Sequence, residues 1–235
     1  MPGVCARAMG RRARAGPTGD DLRDVHSTSS RPMGLASVTG PLRGGGGPGS
    51  PKLLYRQRYR AHPADMTKPG DKLSDVTLRE STGYSDESHC PLPPQPVAVR
   101  ELTAGKKVVF FGLPGAFTPT CSGKHLPGYI AEAEALRAKG VDEIVCVSVN
   151  DGFVMAAWGR EQKAEGKVRM LGDGSADFAR SLGLELDLTA NGMGIRCKRF
   201  SMFVVDGIVK TLNVDEGGKF EASDAATMLK QVGEA

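Results

Sequence analysis

Val108-Val109-Phe110-Phe111-Gly112-Leu113-Pro114-Gly115-Ala116-Phe117-Thr118-Pro119-Thr120-Cys121 runs from an apolar stretch to the threshold of an amphipathic one. Residues 108–113 read as a buried strand bounded by turn formers. Beyond Cys121, the residues Leu126, Ile130, Ala133 and Leu136 recur at helical spacing. A cysteine therefore falls where a strand ends and a helix begins. The first turn of a helix carries unpaired N–H groups and a partial positive charge. A thiol held there is favoured as the thiolate, which is the nucleophilic form. Pro114 and Pro119 stiffen the loop, and Gly112 and Gly115 let the backbone approach a ligand. Thr118 brings a hydroxyl to the same helix entry. The competing reading, a cysteine packed as a small hydrophobe, does not explain this surrounding composition.

Outward from this junction the chain alternates. A strand at 107–113 leads to a helix at about 120–138, and a strand at 144–149 to a helix at about 152–164. A short strand at 168–171 and a short helix at 176–182 follow. Strand, long helix, strand implies a parallel pair joined by a right-handed crossover. The pattern then changes: 200–205 and 208–214 flank Asp206-Gly207, a strong signal for a type I′ hairpin. A closing helix is expected at about 223–232, with Ser223 as its N-cap. Upstream, Leu73, Val76 and Leu78 predict a first short strand, and residues 81–96 a polar, proline-rich loop holding His89 and Cys90. The expected fold is α/β, a mixed central sheet flanked by helices, which is the thioredoxin-like layout.

The 235 residues allow one sizeable domain and an extension. Residues 1–65 are rich in Arg, Gly, Pro and Ser and include the Gly44–Gly47 run, so they are expected to be a disordered extension. Their arginine-rich, acid-poor character resembles an organellar transit peptide, which would place the protein in chloroplast or mitochondrion; a plain basic tail would leave it cytoplasmic. The domain is expected over 66–235. Residues 1–60 hold ten Arg and one Lys against Asp20, Asp21 and Asp24, whereas 61–235 hold 20 basic and 24 acidic residues. The folded part is thus slightly acidic, which argues against a nucleic-acid surface. No apolar run reaches the length of a membrane helix. Five widely spaced cysteines (Cys5, Cys90, Cys121, Cys146, Cys197) without a CxxC form neither a disulfide framework nor a structural zinc site.

The stretch Pro114-Gly115-Ala116-Phe117-Thr118-Pro119-Thr120-Cys121-Ser122 resembles the peroxidatic motif Pro-x-x-x-Thr-x-x-Cys of the peroxiredoxins, and more narrowly of their type II, atypical two-cysteine group in its plant or algal form. Lys124–Tyr129, Ser148–Asp151, Trp158–Arg160, Ala164–Arg169 and Lys198–Met202 extend the resemblance from about residue 66 to the C-terminus. The resemblance implies that Cys121 is the peroxidatic nucleophile and passes through a sulfenic acid. It implies that Thr118 hydrogen-bonds thiolate and peroxide, that Arg199 holds the thiolate and steadies charge on the oxygens, and that Pro114 shields the pocket from water. Fixed donors at the leaving oxygen lower such a barrier, and an arginine donates in a plane without losing its charge. The implied partners are hydrogen peroxide and alkyl hydroperoxides as substrates, with glutathione, glutaredoxin or thioredoxin as reductant. The implied assembly is a homodimer, with no cofactor, no metal, no nucleic acid and no membrane.

Cys146, 25 residues after Cys121, matches the suggested resolving cysteine of plant type II members, yet mid-strand it also reads as a core residue. The mammalian mode, with a resolving cysteine near the C-terminus, is not available, since residues 217–223 hold none. Cys197 beside Lys198 and Arg199 reads as a tolerated small residue or a reactive thiol, and Cys5 and Cys90 have no assigned role. His125, one turn after Cys121, is expected to pack and hydrogen-bond near the pocket, and Trp158 to pack. A phosphate-loop reading of the segment ending at Gly123-Lys124 fails, since Thr118 stands where that motif needs glycine. Two rivals stand beside the thiol peroxidase: a dithiol oxidoreductase, which lacks its second nearby cysteine, and a non-enzymatic redox relay or holdase that binds partner proteins. The peroxidase reading would fall if the Arg199 guanidinium lay well away from the Cys121 sulfur and that sulfur were walled off from solvent.

Overall fold

The computed structural model describes residues 65–233. The expectations for residues 1–64 lie outside them. The elements are β1 (Thr77–Glu80), β2 (Gln95–Ala98), α1 (Val99–Thr103), β3 (Lys107–Leu113), a π-helical turn (Cys121–His125), α2 (Leu126–Ala131), α3 (Ala133–Ala138) and β4 (Glu143–Ser148). They continue with α4 (Gly152–Glu161), β5 (Arg169–Gly172), α5 (Asp177–Ser181), β6 (Glu185–Leu188), β7 (Gly194–Cys197), β8 (Arg199–Val205), β9 (Ile208–Asp215) and α6 (Ala225–Val232).

Seven strands form one sheet in the order β2-β1-β5-β4-β3-β8-β9. The pairs β3–β4 and β4–β5 are parallel, and the others are antiparallel. This is the expected thioredoxin-like mixed sheet. Strand β3 is buried from Val108 to Leu113 because it sits centrally between two layers of helices. Its alternate residues feed both cores. Val109, Phe111 and Leu113 pack with Tyr129, Leu136, Trp158 and Met228 on one face. Val108 and Phe110 pack with Leu102, Phe178 and Leu182 on the other. Asp206 (φ 50°) and Gly207 (φ 75°) turn the β8–β9 hairpin with both φ positive, as a type I′ turn requires.

Several expectations need correction. The first strand starts at Thr77, and Leu73 and Val76 precede it. The segment 81–96 is not wholly a loop: β2 begins at Gln95 and pairs with β1, where Pro96 suits an outer strand. The helix expected at 120–138 is irregular. Its first turn is π-helical, with Leu126 N–H reaching back five residues to the Cys121 carbonyl before Pro127, which has no N–H, and the helix is interrupted at Glu132, whose backbone (φ −90°, ψ 5°) leaves the helical region. The small β6–β7 hairpin was not foreseen. Asp224, not Ser223, caps α6, its carboxylate accepting the Thr227 N–H at 3.0 Å.

Candidate active site

The C-terminal end of β3 and the N-terminal start of β8 meet side by side, since Gly112 pairs with Phe200. The approach needs a glycine: a Cβ on Gly112 would lie 2.0 Å from the Phe200 ring. This register delivers the loop after β3 and the first residue of β8, Arg199, to one place. Helical structure starts at Pro119, so Cys121 lies in the first helical turn as expected. Arg199 Nη2 donates to Cys121 Sγ at 3.5 Å. Arg199 is 6% exposed, and among the described residues no carboxylate pairs with it. Its charge is thus free to act on the sulfur in a poorly screened setting. Cys121 itself is 0% exposed and belongs to the core beneath α2 and α4.

Thr118 sits at the helix entry, but its hydroxyl donates to the Gly115 carbonyl at 2.9 Å. Its lone pairs remain for an incoming donor, and its proton is not spent on the sulfur. Pro114 and Thr118 are partly buried. Phe117, between them, holds a left-handed backbone (φ 61°) and is 52% exposed. A bulky residue in that region is strained and persists only where its surroundings enforce it.

Two residues to which the sequence assigned no role, Asn150 and Arg196, support the site, together with His125. Asn150, just past β4, accepts the Ala116 N–H at 3.0 Å and the Ser148 hydroxyl at 2.7 Å, so it tethers the loop to the sheet. Its signal was positional, because the carboxyl ends of parallel strands are where ligand loops gather. Arg196 donates to the Met193 and Val149 carbonyls (2.8 and 3.3 Å) and lies against Gly115. His125 Nδ1 accepts from Arg199 Nη1 at 3.0 Å, and its Nε2 faces the Ser223 carbonyl at 3.1 Å. Burial, and then the Arg199 charge, lower the His125 pKa to about 3, so the ring is neutral. A packing and hydrogen-bonding histidine was expected, but its bond to Arg199 was not. Trp158 is buried and donates to Ser122 Oγ at 3.1 Å.

The other cysteines are dispersed. Cys146 sits mid-β4 between Phe111 and Met170, fully buried, and burial followed by the nearby Cys121 pushes its thiol well above the ordinary range. Cys197 is buried in the opposite core layer, where desolvation and Asp173 raise its thiol too. Its adjacency to Lys198 in sequence therefore creates no reactive site. Cys90 is exposed, and all four described cysteines are free. Among the described residues no cluster of His, Cys, Asp and Glu is disposed to hold a metal, and no helix is long and apolar enough to cross a membrane.

A buried thiol, an unneutralised guanidinium and a strained, tethered loop can together hold a thiolate and stabilise a second developing negative charge. A family model described as Redoxin matches residues 68–229. Chloroplastic peroxiredoxin-2E of Arabidopsis thaliana is 48% identical over 163 residues, covering 68% of this chain and 67% of the relative. Peroxiredoxin-2B of the same organism is 52% identical over 161 residues, covering 68% and 95%. The crystal structure of reduced Prx3 from Vibrio vulnificus in complex with hydrogen peroxide is 49% identical and aligns with a TM-score of 0.65, covering 71% of this chain and 99% of that one.

Proposed function

The chain belongs to the redoxin family as a peroxiredoxin, a peroxidase oxidoreductase, and from that premise we propose that Cys121 is its peroxidatic nucleophile, acting on hydrogen peroxide and alkyl hydroperoxides. The observation that carries the assignment is the 3.5 Å contact between Arg199 Nη2 and Cys121 Sγ. The thiolate attacks one peroxide oxygen, the O–O bond breaks, and the leaving oxygen departs as water or an alcohol after gaining a proton. Cys121 is left as the sulfenic acid. Arg199 contacts the sulfur through Nη2, while Nη1 is held by His125, an arrangement that supports Nη2 as donor to the oxygens as charge develops. Thr118 offers lone pairs to the peroxide O–H, and Pro114 screens the entry. Because Cys121 has no exposed surface, peroxide enters when the 114–118 loop opens, and the strained Phe117 supports that loop as the moving part.

In the resolving step a second thiol condenses with the sulfenic acid, releasing water, and thiol–disulfide exchange then restores Cys121. The enclosed, hard-to-ionise Cys146 favours an external thiol: glutathione with glutaredoxin, or thioredoxin. The type II subgroup and a homodimer are part of this proposal. The dimer is supported by two aromatics that stay in water in the single chain, Phe117 and Phe153. Import into chloroplast or mitochondrion is supported by the composition of residues 1–65 and by the chloroplastic relative. Peroxide consumption with glutathione and glutaredoxin is expected to vanish in Cys121→Ser; persistence in that variant would move the nucleophile elsewhere.

A further inference from the structure

The aim of Arg199 is set by residues far along the chain. His125 Nδ1 accepts from Arg199 Nη1 at 3.0 Å, so the ring proton resides on Nε2 and is donated to the Ser223 carbonyl at 3.1 Å. The other tautomer would set an N–H against an N–H. The same carbonyl receives the Tyr129 hydroxyl at 3.0 Å. Ser223 is in turn anchored, its hydroxyl donating to Asp215 Oδ2 at 2.5 Å. Asp215 Oδ1 accepts the N–H groups of Glu221 and Ala222 at 3.1 and 2.7 Å, closing the turn between β9 and α6. The ring is packed among Phe111, Tyr129 and Phe220, with centroids 5.1–5.6 Å away. Arg199 Nε is buried and has no hydrogen-bond partner among the described residues. The side chain is thus oriented by two contacts of its terminal nitrogens, the sulfur and His125, and by the Phe220 ring 5.7 Å from its Cζ.

We propose that Asp215, Ser223 and His125 form a positioning relay that aims the Arg199 guanidinium at Cys121. The relay rests on the peroxidase reading above and extends it to residues outside the motif loop. Its chemical logic lies in the neutrality of its last member. A carboxylate in the place of His125 would orient Arg199 equally well and would also cancel its charge. An imidazole that has given its proton to a carbonyl orients the guanidinium and leaves the full charge facing the sulfur. The acid of the relay, Asp215, lies across the β8–β9 ladder from Arg199. It is occupied by the Ser223 hydroxyl and two backbone donors and forms no ion pair with Arg199 among the described residues.

Two substitutions of similar polarity separate the halves of the imidazole. His125→Asn sets an amide oxygen near the place of Nδ1, and His125→Gln sets an amide nitrogen near the place of Nε2. His125→Asn is expected to keep most of the rate constant for peroxide reduction, and His125→Gln to lower it roughly 10- to 100-fold, the worth of a buried hydrogen bond to a charged group. The ultraviolet thiolate absorbance of the reduced protein at neutral pH, measured against Cys121→Ser, is expected to fall in the same order. Equal behaviour of the two variants in both readouts overturns the relay. Asp215→Ala is expected to slow the wild type by a smaller factor and to add nothing in the His125→Gln background; slowdowns that multiply overturn the link through Ser223. The absorbance readout needs no turnover. If Cys121→Ser kept its peroxidase activity while that order held, the assignment of the nucleophile would fall and the relay would stand.

Discussion

Arg199 Nη2 lies 3.5 Å from Cys121 Sγ, while no carboxylate of the described residues neutralises the guanidinium. In the proposed mechanism the cation acts on the sulfur in the resting state and on the peroxide oxygens in the transition state. Arg199→Ala is expected to lower the rate of peroxide reduction by on the order of a hundredfold, the effect of losing one preorganised donor. Arg199→Lys restores the charge without the planar pair of donors and should recover only part of it. Stopped-flow consumption of peroxide checks both, and an unchanged rate in Arg199→Ala would remove the arginine from the reaction.

Asn150 holds the Ala116 N–H at 3.0 Å from the end of a neighbouring strand. Asn150→Ala leaves that partly buried donor unpaired and the loop before Cys121 untethered. The expected result is about a tenfold slower reaction with peroxide, for a bond worth about 1.4 kcal/mol, with little change in global stability. Denaturant unfolding run beside the kinetics distinguishes a loop effect from a general loss of structure.

Cys146→Ser places a hydroxyl among Phe111, Met170 and their neighbours. A cost of about 1–3 kcal/mol in stability is expected, with glutathione-coupled turnover retained. A selective loss of thioredoxin-coupled turnover would instead assign Cys146 the resolving step.

Two opposed contributions to acid stability come from His125 and Asp173. His125 has a folded pKa of about 3 against an ordinary 6.5, lowered by burial and then by Arg199. The unfolded chain thus binds this proton first, and stability falls as pH drops from 6.5 towards 3, by up to about 5 kcal/mol. Asp173 is shifted the other way, to about 6 from 3.8, by burial. Its stabilisation is present at low pH and lost as pH rises through 6, by up to about 3 kcal/mol. His125→Asn removes the first contribution only. Its urea midpoint should therefore hold or rise between neutrality and about pH 4.5, where that of the wild type falls. Parallel curves for the two proteins would show that the ring is charged in the folded state.

The sheet was readable because β3, β4 and the β8–β9 hairpin announce themselves through apolar runs and an Asp-Gly turn, which are local signals. Strand β2 was hidden by Pro96 within it and by the prolines just before it. The β6–β7 hairpin was hidden too, because it pairs only with itself and carries a weak half-buried pattern. At the site, the motif around Cys121 and the matched block around Arg199 picked out two side chains that the fold brings into contact. Asn150, Ser223 and Asp215 acquire their meaning from partners 34, 98 and 8 residues distant.

What the linear chain determined by itself was the strand-to-helix junction that presents Cys121 and the order of elements that makes the sheet, since both follow from short-range periodicity and backbone restriction. What the tertiary structure alone decided was that Cys121 and Cys146 are both fully enclosed, and that His125 is neutral and turned towards Arg199. Burial and hydrogen-bond partnership depend on which distant segments pack together, and β3 against β8 brings together residues 78 positions apart.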